Sequence, residues 1–124
     1  MQQLLAIAIG GAVGAVLRFV VSNGVYRLVG REFPYGTLAV NVLGSLLMGV
    51  LFILLVERVA VSAELRAALL IGVLGAFTTF SSFSLETLAL FNGGEPVKAI
   101  LNIVLSVVLC LLAAWLGMNI GRQL

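Results

Sequence analysis

The stretch that decides the fold is GVLGAFTTFSSFSLE, residues 72–86. It opens with two glycines and then places five hydroxyl residues, Thr78, Thr79, Ser81, Ser82 and Ser84, within seven positions. Glycine weakens a helix entropically, and hydroxyl side chains offer the backbone partners that compete with the helical ladder. A break near residues 75–79 is predicted. Irregular backbone at membrane depth survives only where it is buried in protein or faces a wet cavity. Broken spans of that kind hold ions on their freed carbonyls and helix ends.

Membrane depth is the right setting because the stretch lies inside one of four apolar segments, at residues 4–21, 35–56, 65–91 and 97–120. Each is about the ~20 residues that a helix needs to cross the hydrocarbon. Of 124 residues, 62% are hydrophobic and only 10% are charged, so a soluble bundle would lack a polar coat. The expected fold is an all-α membrane protein with four transmembrane helices, the third broken, forming one unit over residues 1–124. The first span follows no basic leader region and is read as a span that stays.

Composition also limits the chemistry. With no His, no Asp and one cysteine, Cys110, in an apolar run, neither the usual hydrolytic groups nor a zinc or disulfide framework can be assembled. An enzyme is not expected. The seven basic and five acidic residues stand singly rather than in runs, which leaves no nucleic-acid patch. Membrane lipid is the expected surrounding.

The charges sit mostly in the connections: Arg27, Arg31 and Glu32 in the first, Glu57, Arg58, Glu64 and Arg66 in the second, Glu95 and Lys98 in the third. Pro34 and Pro96 fall at segment starts, where proline suits a helix N-terminus. Arg58, Arg66 and Arg122 lie on the side of the termini, and Arg27, Arg31 and Lys98 on the other. This near tie leaves orientation unspecified by the positive-inside rule, so insertion both ways, and with it an antiparallel homodimer, is expected.

Polar residues inside the spans are few. Thr37, Asn41 and Ser45 fall four residues apart, as do Asn102, Ser106 and Cys110, so the second and fourth helices each carry a polar stripe. Such stripes serve either as interhelical hydrogen-bond glue or as the lining of a conduction route. That lining offers amide and hydroxyl donors without a central cation, which suits a small anion. Arg18 either draws anions into a vestibule or snorkels to the headgroups. Phe80 and Phe83 either pack against a neighbour or turn their positive ring edges to an anion. Glu86, the one acid deep in a span, is placed to pair with Arg18 or to act with the nearby hydroxyls as a gate. Gly10 and Gly14, and Gly117 and Gly121, have the spacing that lets helix backbones touch.

Three blocks, GGAVGAVLR at residues 10–18, GTLAVNVLGS at 36–45 and GVLGAFTTFSSFSLE at 72–86, resemble the small bacterial fluoride channels of the Fluc family, also called CrcB. The resemblance runs over nearly the whole chain. It implies a dual-topology antiparallel dimer of four-helix subunits in the bacterial plasma (inner) membrane, with two pores, each built from both chains, that let fluoride leave the cytoplasm passively. It also implies that Phe80 and Phe83 meet fluoride through ring edges and that Asn41 is the pore asparagine. Thr37, Ser81, Ser82, Asn102, Ser106 and Cys110 fall on the fluoride pathway, Arg18 and Glu86 at its vestibule or gate. The carbonyls of Gly75 and Thr78 match the holders of a structural sodium ion (Na+) on the dimer axis. Ser82 stands where the family often has threonine, and Cys110 where a stronger hydroxyl donor is common. Two other readings stay open: a small proton-coupled multidrug exporter, which needs an embedded carboxylate that the first helix lacks, and a non-transporting membrane assembly protein.

Overall fold

A computed structural model describes residues 1–124. The regular structure is all helical, with four spans at Gln2–Val29, Tyr35–Arg58, Ala63–Asn92 and Pro96–Gln123, each long and apolar enough to cross a membrane. Leu4, Leu5, Ile9, Phe19, Leu111 and Trp115 are among the many large apolar side chains that stay exposed. That is the inverse of a soluble protein and the expected state of a chain whose solvent is lipid.

The first helix runs past the apolar segment, through Val29. Ser22 donates its hydroxyl to the Arg18 carbonyl at 2.6 Å, and Asn23 donates to the Phe19 carbonyl at 2.8 Å. These side chains bond back onto the helix instead of ending it. Arg27 therefore belongs to the last turn, where a cation complements the helix C-terminus. Gly30 ends the helix at φ 90°, a conformation that glycine adopts without strain.

Other charges expected in the connections are helical too. Glu57 and Arg58 belong to a π-helical turn, Ile53–Arg58, that closes the second helix. Arg58 Nη1 donates to the carbonyls of Gly121 at 3.2 Å and Arg122 at 2.8 Å, capping the end of the fourth helix. Glu64 and Arg66 lie in the first turn of the third span, Ala63–Arg66, which Ser62 caps by accepting the Leu65 N–H at 3.1 Å. Pro96 begins the fourth helix at its first turn, as expected. Lys98, also in that turn, bonds the Glu32 carbonyl at 3.2 Å and Glu95 at 3.3 Å, joining the first and third connections.

Two glycine seams set the packing. Gly10 and Gly14 lie directly against the backbone of Ala68 and Val73, and a Cβ at Gly72 would stand 2.9 Å from the Ile7 carbonyl and 3.0 Å from Gly10 Cα. The first helix thereby meets the upstream half of the third span backbone to backbone. Gly117 lies equally close to the Leu46 carbonyl, and Gly49 to that of Ala114, joining the second helix to the fourth. With no hydrophobic driving force between helices in lipid, contact this close supplies the van der Waals attraction that holds them. Each glycine pair thus acts within the chain.

Candidate functional site

The third span breaks at Thr78 and Thr79, which are extended at φ −86°, ψ 158° and φ −151°, ψ 114°. This is the downstream edge of the expected window. The glycines are not its cause: Gly72 is spent on the first helix, and Gly75 is helical at φ −62°. Hydroxyl and amide side chains make the break. Asn41 Oδ1 accepts the Thr79 N–H at 2.7 Å while Asn41 Nδ2 donates to the Thr79 carbonyl at 3.0 Å. The Thr79 hydroxyl then caps the downstream helix, Phe80–Asn92, by accepting the Ser82 N–H at 3.2 Å. With the N–H groups of Thr79 and Ser82 turned to side chains, the carbonyls of Gly75 and Thr78 lose the partners that a continuous helix would give them.

Next to the break lies a cavity of about 340 Å³, whose walls include Asn41, Thr78, Phe80, Phe83, Ser106 and Cys110. Five of these are residues that the sequence reading put on the pathway, drawn from three helices. The Phe80 and Phe83 rings lie 5.3 Å apart at 45°, but their surroundings differ sharply. Phe83 is buried, whereas Phe80 is 77% exposed. The second N–H of the Asn41 amide is not taken by Thr79, which leaves one strong donor at this cavity.

Thr37, Ser82, Arg18 and Glu86 line a separate cavity of about 350 Å³ on the face of the first helix. Both cavities touch Thr79. Glu86 makes no ion pair with Arg18. Its Oε1 instead accepts the Thr37 hydroxyl at 2.7 Å, and its Oε2 is buried with no hydrogen-bond partner in the chain. The hydroxyl it takes is that of Thr37 on the second helix, not one from the cluster at residues 78–84.

Asn102 lines neither cavity. It is 2% exposed and donates to Thr87 Oγ1 at 2.9 Å, while accepting from Ser106 at 3.4 Å. Thr87 passes its own proton to the Phe83 carbonyl at 2.7 Å. This chain ties the fourth helix to the backbone that carries Phe83, so Asn102 supports the wall from behind. Ser81 is exposed and lies 3.3 Å from the Thr79 hydroxyl. Ser45, the last member of the second-helix stripe, is on neither cavity.

Three residues escaped the sequence reading as site members. Thr79 joins the two cavities, and a threonine just ahead of the Phe80–Asn92 helix is a legible N-cap residue. Thr87 lies in an apolar run that gives it no local signal. Tyr26 fell outside the expected first span, yet its ring forms part of the wall around Glu86.

Four helices of membrane length, a break in the third and polar side chains gathered at it define a multi-pass membrane protein with an internal polar site. The family described as "CrcB-like protein, Camphor Resistance (CrcB)" matches residues 5–118. A protein of Methylococcus capsulatus named fluoride-specific ion channel FluC is 60% identical over 98% of this chain and 53% of its own length. Proteins of the same name from Magnetococcus marinus and Coxiella burnetii are 55% and 54% identical over 98% and 99% of this chain, and over 98% and 100% of their own lengths. The chain belongs to the CrcB family. Its relatives are named as ion channels, not as enzymes, in keeping with the missing catalytic side chains.

Proposed function

We propose that the chain is a fluoride channel subunit that lets the ion leave the cytoplasm passively across the bacterial plasma membrane. The observation that carries this reading is the convergence of Asn41, Phe80, Phe83, Ser106 and Cys110 on one cavity beside the helix break. An amide N–H, a thiol and two aromatic rings with positive edges bring partial positive charges to this lining, while Ser106 keeps its proton on Asn102. Such a lining can replace the hydration of a small anion without trapping it on a full cation. Flow outward needs no energy source, because an inside-negative potential favours anion exit by about 2.3 kcal/mol per charge for each 100 mV.

A second, antiparallel copy completes this reading. Phe80 is exposed beside a polar break, and irregular backbone in lipid requires protein or water around it. A facing copy would cover it and give each of two pores walls from both chains. The balanced charges of the connections are compatible with insertion in both orientations. In that dimer the Gly75 and Thr78 carbonyls, two from each chain, would hold a sodium ion on the shared axis. Neutral carbonyl oxygens are the ligands that a hard cation prefers, and a Cβ at Gly75 would meet nothing in its own chain closer than the Leu70 carbonyl at 3.7 Å. Sodium there would supply a fixed positive charge that holds two broken spans together.

Growth gives a simple test. A bacterial strain made fluoride-sensitive by loss of its own exporter should regain growth on fluoride when it expresses this chain. Resistance to cationic drugs without fluoride rescue would favour the exporter reading instead.

A further inference from the structure

Beyond the cavity that holds Arg18 lies an outer one of about 370 Å³, lined by Arg31, Glu32, Phe33 and Pro34 among others. The two cavities have only Tyr26 and Glu86 in common, so these side chains stand where the two meet. An anion moving inward must pass a carboxylate or a phenol. Glu86 turns its Oε1 to the Thr37 hydroxyl as an acceptor, and the Tyr26 hydroxyl is the donor of the pair.

The phenol is held for that task. Its ring lies against Gly36, where a Cβ would come within 2.7 Å of Tyr26 Cδ2. The Arg31 guanidinium covers the ring at 4.5 Å and is itself anchored by donating to Asn23 Oδ1 at 3.1 Å. Thr37 spends its one proton on Glu86, so its oxygen can only accept from Tyr26, and it lies 3.5 Å from the phenol oxygen. A bond at that length to a neutral oxygen is weak, whereas one to a small anion is short and strong. The ring is fixed and its proton is nearly free.

We propose that the Tyr26 hydroxyl is the donor that passes the anion from the outer cavity into the Arg18–Glu86 cavity. This rests on the fluoride-channel reading above. The proton turns from Thr37 to the arriving anion and returns once the anion has moved on toward Thr79 and the second cavity.

Tyr26→Phe keeps the ring, its contact with Gly36 and the cation above it, and removes only the donor. Fluoride flux into liposomes is to be measured against fluoride concentration for both proteins. The expected result is a rise of about tenfold or more in the half-saturating concentration, the size expected for loss of one hydrogen bond to a charged species, with the elution profile unchanged. A curve that overlays the unmodified protein's overturns the inference alone; absence of flux in the unmodified protein overturns the channel reading and the inference with it. Should the variant elute abnormally, a Tyr35→Phe background isolates the remaining phenol, and its near-ultraviolet difference spectrum is titrated with sodium fluoride and with sodium chloride. A tyrosine band shift with fluoride only supports the transfer role, and no shift overturns it.

Discussion

Asn41 takes over both backbone hydrogen-bonding groups of Thr79, accepting its N–H at 2.7 Å and donating to its carbonyl at 3.0 Å. One carboxamide on the second helix thereby substitutes for the helical ladder at the point where the third span is interrupted. The same amide faces the cavity that Phe80 and Phe83 line, which couples the architecture of the break to the chemistry beside it.

Asn41→Leu keeps the size and removes both bonds, leaving the Thr79 N–H and carbonyl unpaired. We expect a loss of about 2–4 kcal/mol in resistance to denaturing detergent, together with loss of fluoride flux. Unchanged unfolding would mean that the Thr79 backbone finds other partners and that the break is not held by Asn41.

Phe80 and Phe83 should separate function from folding. Phe80 is exposed in the single chain, so Phe80→Ile should change the subunit's own stability by less than about 0.5 kcal/mol while abolishing flux. Phe83 is buried, and Phe83→Ile should cost about 1–2 kcal/mol as well. Flux that survives both changes would remove the rings from the pathway.

The glycine seam makes a prediction about packing alone. A Cβ added at Gly11 would meet nothing within 4 Å, whereas Gly14 lies against the Val73 backbone. Gly11→Ala should be neutral or raise stability by up to about 1 kcal/mol, and Gly14→Ala should lower it by about 1–3 kcal/mol. Thermal aggregation of the two variants in mild detergent distinguishes them.

Sodium is expected to matter to assembly. Exchange of sodium for a large organic cation during purification should shift the protein toward single subunits on size exclusion and lower its flux, and sodium should restore both. Identical elution and flux in the two media would count against a cation held by Gly75 and Thr78.

The number of spans, the position of the break and the polar stripes were legible in the sequence, because hydropathy and four-residue spacing are local signals. Helix ends were less so. Ser22, Asn23 and Arg58 look like connection residues by composition, but they bond to helix carbonyls. The role of the glycines in the third span was hidden for a related reason: close approach to Gly10 is a long-range fact, invisible in local propensity. Asn102 and Thr37 carried the right spacing for a lining, yet Asn102 is buried against Thr87, while Thr37 lines the Arg18 cavity with its proton held by Glu86. Spacing gives a shared helix face, and only packing decides what that face meets.

The most direct test of the central claim is ion flux from liposomes that contain the purified protein and are loaded with equal fluoride and chloride. We expect rapid release of fluoride with chloride retained, lost on Phe80→Ile. Release of both ions at similar rates, or of neither, would contradict the proposal that this cavity conducts fluoride.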